Sequence, residues 1–154
     1  MKKTQNFRYF LAATRSSFFR TKAAVFLSAT LGVAGSLMAT DITWSGTGGT
    51  TFSDGLNWGG TAPADDLTSD RGVFTGTPTA NLPQLMASRL INGLYFSGTT
   101  TGGWILSSNS SLNVLTLGAF GVDSRNTSGT NTISANLSIG AVQSWNQSTG
   151  GTLK

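Results

Sequence analysis

Leu115-Thr116-Leu117-Gly118-Ala119-Phe120 returns 22 residues later as Leu137-Ser138-Ile139-Gly140-Ala141-Val142. A looser copy, Leu94-Tyr95-Phe96-Ser97-Gly98, begins 21 residues before Leu115. Each copy reads apolar, variable, apolar, and then a small residue and Gly close together. That pattern describes a short strand with two inward side chains, ending where the chain can turn sharply. A strand repeated about every 20 residues predicts a coil whose turns stack on one another, because one such unit cannot bury its apolar face alone. Cut by this spacing, residues 91–154 hold about three turns: 91–111, 112–134 and 135–154. Leu94, Leu115 and Leu137 are expected to form one internal ladder, with Phe96, Leu117 and Ile139 beside them. Trp104-Ile105-Leu106, Thr132-Ile133-Ser134, and Trp145 with Leu153 supply the second strands of successive turns. The last turn stops at Gly151-Thr152-Leu153-Lys154, inside an apparent strand. A bare strand edge there predicts a truncated product, or a piece that pairs edge to edge with another chain.

Composition agrees with many short strands joined by turns. Gly, Ser, Thr and Asn make up 61 of the 115 residues from Thr40 onward. Such a bias can mean disorder, but regularly spaced Leu, Ile, Val, Phe and Trp punctuate it and provide the buried stripe that disorder lacks. The expected class is therefore all-β.

The formal charge of +4 belongs to the N-terminus. Six of the ten bases precede residue 23, and beyond residue 40 four bases face six acids, a balance of −2. A nucleic-acid-binding face needs Lys and Arg clustered on the folded part, so no nucleic-acid partner is expected. Residues 1–39 read as a signal peptide. The basic n-region ends at Lys22, an uncharged apolar stretch runs from Ala23 to Met38, and Ala39 offers a cleavage point. The apolar stretch falls short of the ~20 residues that span a bilayer, so export is expected rather than a membrane anchor. The membrane would be met only through this signal.

Residues 40–90 carry no clean repeat. Ile42-Thr43-Trp44 and Val73-Phe74 read as strands, Asp54-Gly55 and Pro63-Ala64-Asp65-Asp66 as turns. The open end of a stacked coil must be covered, so this segment is expected to be an N-terminal cap, with Trp44 and Trp58 packed over the first turn.

The order Trp44…Asn57-Trp58, Pro63-Ala64-Asp65-Asp66, Asp70-Arg71-Gly72-Val73-Phe74-Thr75-Gly76, Ile91-Asn92-Gly93-Leu94-Tyr95-Phe96 resembles the start of bacterial proteins with autotransporter-associated β-strand repeats. Leu115-Thr116-Leu117-Gly118 and Ile139-Gly140-Ala141-Val142-Gln143-Ser144-Trp145 resemble the repeat itself. The likeness covers essentially all of residues 41–154. It implies a right-handed parallel β-helix of the pectin-lyase-like kind, on a secreted or surface-displayed bacterial passenger of which this chain is the N-terminal piece.

Some β-helices of that kind cleave polysaccharides, which requires clustered carboxylates with a base or bound Ca²⁺. The acids here are Asp41, Asp54, Asp65, Asp66, Asp70 and Asp123. Asp65, Asp66 and Asp70 could form one oxygen-rich site, but Asp in such a sequence is ordinarily a turn residue. There is no Glu for a Glu–Glu glycosidase pair, no His to activate a Ser, and no Cys for a disulfide or thiolate metal site. Trp44, Trp58, Trp104 and Trp145 could stack on sugar rings if exposed, though packing at turn ends is the more usual role of so large a ring. Asn109, Asn126, Asn136 and Asn146 begin Asn-x-Ser/Thr sequons, as chance alone gives in so polar a chain.

The sequence therefore predicts a non-enzymatic, exported structural β-solenoid with no catalytic, cofactor or metal residues. The alternative is a carbohydrate-binding or polysaccharide-cleaving β-helix, whose partner would be a cell-surface polysaccharide.

Overall fold

The computed structural model describes residues 39–97 and 102–154. The predicted signal peptide lies outside them, apart from Ala39. Ten strands follow in order: β1 (Thr40–Thr43), β2 (Asp70–Phe74), β3 (Gln84–Leu85), β4 (Arg89–Phe96), β5 (Ile105–Ser108), β6 (Val114–Ser124), β7 (Thr130–Ile133), β8 (Asn136–Ile139), β9 (Trp145–Gln147) and β10 (Thr152–Leu153). A single 3-10 turn, Gly55–Trp58, interrupts the first loop. Every pairing between these strands is parallel. One sheet runs β1-β2-β4-β6-β8, with β9 also on β6; the other runs β10-β7-β5-β3. Successive strands of the chain thus alternate between two parallel stacks, giving an all-β parallel β-solenoid of about three turns.

The repeat is a repeat because of what it faces. Leu115 lies opposite Leu137, and Leu117 opposite Ile139, as the 22-residue spacing predicts. Leu115 and Leu117 are fully buried, as is Ile91, which pairs with Leu117 from the other side. Each such side chain contributes about 1.5–3 kcal/mol through burial. Beside these, Phe74 and Phe96 pair in register and stack with ring centroids 5.0 Å apart. Trp104, Trp58, Phe52 and Trp44 extend that contact into one aromatic column through the core.

One rung of the expected ladder is misplaced. Leu94 does not stack on Leu115; it lies between Gly72 and Val122, and Phe96 lies between Phe74 and Ser124. The reason is a register shift. Ile91 and Gly93, two residues apart, pair with Leu117 and Gly121, four apart, so β6 bends outward through Gly118–Phe120. The bend divides each long rung into two segments: Leu115 and Leu117 belong to the first, Val122 to the second. In the last rung the same bend separates β8 from β9. This places Trp145 opposite Val122 rather than on the second stack.

The bend explains the repeat glycine. A Cβ at Gly118 would collide with the Leu67 carbonyl oxygen, and one at Gly140 would come 2.8 Å from Leu67 Cδ1. Gly121 turns the chain back at a φ of 68°, which a β-carbon disfavours. The loop carrying Leu67 also bonds the otherwise open edge of β4: Leu90 N donates to Asp65 Oδ1 at 2.7 Å, and Asn92 Nδ2 to the Thr68 carbonyl at 3.0 Å. Asn92 Oδ1 accepts from Phe120 N at 3.2 Å, so one amide links loop, β4 and β6 at the bend.

Candidate functional site

Carboxylates come first, because polysaccharide chemistry would need them. Asp65 and Asp66 fall in the loop before β2 and Asp70 opens that strand, yet each is committed to a partner within the chain. Asp65 accepts from Leu90 N and lies 3.5 Å from Arg89 Nη1. Asp70 Oδ2 accepts from Ala64 N at 2.8 Å. Asp66 accepts from the backbone N–H groups of Thr68 and Ser69, each at 2.7 Å, and from both hydroxyls. The Ser69 hydroxyl, then the two backbone donors, favour its charged form and lower its pKa to about 2. A carboxylate so stabilised is a weak base, the opposite of what general acid–base work at neutral pH asks for.

The remaining acids are engaged in the same way. Asp54 accepts from Leu56 N and so caps the 3-10 turn. Arg71 grips Asp41 with two parallel bonds, at 2.5 and 2.7 Å, and lies 4.1 Å from the centre of the Phe120 ring. Asp123 accepts from Arg125 Nε at 2.6 Å and raises the Arg125 pKa. Among the described residues no three acids gather into a group able to hold a metal ion.

Three of the four tryptophans are core residues. Trp44, Trp58 and Trp104 are at most 4% exposed. Trp44 Nε1 donates to the Asn81 carbonyl at 3.0 Å and Trp58 Nε1 to the Phe52 carbonyl at 2.6 Å. A sugar-stacking face built from all four is therefore not formed, and only Trp145, 49% exposed, presents a ring to solvent.

Two further features bear on function. The first is a polar cleft of about 280 Å³ lined by Ser108, Asn109, Ser110, Ser111, Ser134 and Asn136. Its amides are partly spent on the protein itself: Asn136 Nδ2 donates to the Ser111 carbonyl, and Asn109 Oδ1 accepts from Asn113 Nδ2. With no ionisable group in its lining, the cleft can offer hydrogen bonds to a neutral molecule but no proton transfer. The second is the end of the coil at β8, β9 and β10. Ile139 is 68% exposed and Val142 97%, whereas Leu117 and Val122, in the rung behind, are completely buried. Ile139, expected inside the ladder beside Leu117, is thus largely exposed.

No protein-family model matches the chain, and comparison with curated proteins and with solved structures gives no match.

Proposed function

We propose that this chain is a non-catalytic, exported structural β-solenoid, the N-terminal piece of an autotransporter-like bacterial passenger, wound right-handedly. Residues 40–90 serve as its N-terminal cap, and residues 1–39 as the signal that carries it out of the cytoplasm to the medium or the outer surface. The observation that carries the reading is the commitment of its side chains. The apolar residues of the inner rungs go into stacking, and each described carboxylate is bonded to a backbone donor or an Arg, which leaves few side chains for chemistry. The basic, acid-free leader supports export, and the order of motifs from Trp44 to Trp145 supports the passenger family.

The test is expression of the full chain in a bacterial host, followed by fractionation and N-terminal sequencing. The reading expects exported material beginning at Thr40, inert in a lyase assay with Ca²⁺. Retention in the cytoplasm with Met1 intact would refute export. Polysaccharide cleavage lost in Asp65→Asn or Asp66→Asn would refute the structural role. The half-exposed Trp145 favours one second reading, carbohydrate binding; a glycan-array signal abolished by Trp145→Ala would support it.

A further inference from the structure

We infer that the cleft between the β5–β6 and β7–β8 corners binds an uncharged, hydroxyl-rich ligand, one ring of a neutral saccharide. Residues 109–113 join β5 to β6, whereas residues 134–135 suffice to join β7 to β8. These unequal corners meet at a recess of about 280 Å³, lined by Ser108, Asn109, Ser110, Ser111, Ser134 and Asn136. That volume lies just under the usual ~300–1,000 Å³ of small-molecule sites, so it suits a single sugar ring rather than a chain.

The hydrogen bonds that build the walls also decide what the walls offer. Asn109 Oδ1 accepts from Asn113 Nδ2 at 2.8 Å, which leaves the Asn109 Nδ2 as a donor. Asn136 is held the other way. Its Nδ2 donates to the Ser111 carbonyl at 2.6 Å, which leaves its Oδ1 as an acceptor. The Ser111 hydroxyl can act as either. Among the described residues these three groups have no bond to the protein. The neighbouring hydroxyls brace the loop instead: Ser108 Oγ accepts from Ser110 N and donates to the Ser110 carbonyl, and Ser110 Oγ accepts from Leu112 N. A wall fixed in this way has less ordering left to lose when a ligand arrives.

A fixed donor, a fixed acceptor and a hydroxyl match adjacent sugar hydroxyls, each of which both donates and accepts. They do not match an ion. No charged residue occurs between Arg89 and Asp123 or from Asn126 to Leu153, the segments that supply both walls. Nothing in the lining therefore offsets the cost of taking a charged ligand out of water. Leu112, next in the chain after Ser111, is 84% exposed. An apolar side chain beside a polar recess suits a ring with hydroxyls at its edge and C–H groups on its face.

The cleft lies on the β6 side of β8. Its two corners are bonded to each other, by Asn136 on Ser111 and by Ser134 N on the Leu106 carbonyl at 2.9 Å. A further turn would stack on the other side of β8. The site is also separate from Trp145 and does not depend on that ring binding sugar.

Titration of the isotope-labelled full chain with cellobiose, maltose and lactose, read by amide chemical shifts, tests this, with digalacturonate as the charged comparison. The expected result is a saturable shift confined to residues 108–111 and 134–136 with a neutral disaccharide, and none with digalacturonate. Ser111→Leu fills the cleft and removes the free hydroxyl, yet leaves the Ser111 carbonyl to Asn136, so it should abolish the response with the rest of the spectrum unchanged. Trp145→Ala should leave the response intact. No saturable shift with any of the neutral sugars up to their solubility limits would overturn the inference, as would shifts centred elsewhere or equal binding of digalacturonate. A response kept in Ser111→Leu, or lost in Trp145→Ala, would also contradict it. The shift map is read on the parent chain, so it decides even where Ser111→Leu fails to fold; Asn109→Leu then repeats the variant arm with the same expected loss.

Discussion

Leu117 and Ile139 occupy one ladder at different depths, so truncating each to Ala separates burial from sequence identity. Leu117 is completely buried between Ile91 and Ile139. Leu117→Ala should therefore cost about 3 kcal/mol, within the usual 2–5 for a buried Leu. Ile139 is 68% exposed, so roughly a third of its burial is at stake, and Ile139→Ala should cost only about 0.5–1 kcal/mol. The first is a loss of about two powers of ten in the folding constant. With a urea slope of about 2 kcal/mol per molar, it moves the midpoint by about 1.5 M, and the second by less than about 0.5 M. The assay is urea unfolding followed by far-UV circular dichroism and by fluorescence of the buried Trp58 and Trp104. Equal midpoints for the two variants would refute the reasoning, since they would mean that Ile139 is as enclosed as Leu117.

Asp66 gives a pH prediction with a definite sign. Its folded pKa of about 2 lies below the ordinary 3.8. Its stabilising contribution is therefore complete above the ordinary value and is lost as pH falls through about 2. Carboxyl carbon shifts should show a midpoint near 2, and a midpoint near 3.8 would mean that Thr68 and Ser69 do not donate to it. Gly118→Ala should lower the urea midpoint and speed proteolysis within residues 62–69, because the new Cβ displaces the Leu67 carbonyl. Adding Leu67→Ala should not rescue it, since the obstruction is backbone; recovery would show the clash to lie with the Leu67 side chain. Trp58→Phe leaves the Phe52 carbonyl without its 2.6 Å donor, which should cost about 1–3 kcal/mol by thermal or urea unfolding. An unchanged midpoint would remove that bond from the account.

The legible part of the fold was the part governed by local pattern. The Leu115–Leu137 and Leu117–Ile139 pairs could be read from sequence because no residue is inserted between β6 and β8 across those positions, so the spacing in the chain equals the spacing in the stack. Leu94 was misassigned because both segments of a rung read apolar-variable-apolar. The two extra residues at the Gly118–Phe120 bend leave no mark in that pattern. The place of β1 and β2 in the same sheet as the repeats was hidden for another reason. Their pairing is carried by backbone bonds and by Phe74 on Phe96, not by a recurring motif. The turn role of Asp66 was legible in Pro63-Ala64-Asp65-Asp66, whereas the bond from Leu90 N to Asp65, 25 residues apart, is visible only in three dimensions. Among the tryptophans, spacing did not separate Trp145 from the other three. What distinguishes it is that, among the described residues, β9 pairs only with β6.

The register of the long rungs is the claim on which the rest depends, and disulfide trapping in this cysteine-free chain measures it directly. Tyr95 lies opposite Asp123, on neighbouring parallel strands about 4.8 Å apart, within the span a disulfide can bridge. Tyr95→Cys combined with Asp123→Cys should therefore oxidise to an intramolecular disulfide in high yield, and Tyr95→Cys combined with Thr116→Cys should not. Preferential closure of the Tyr95–Thr116 pair would place Leu94 on Leu115, as the bare repeat suggests, and would contradict the bend at Gly118–Phe120.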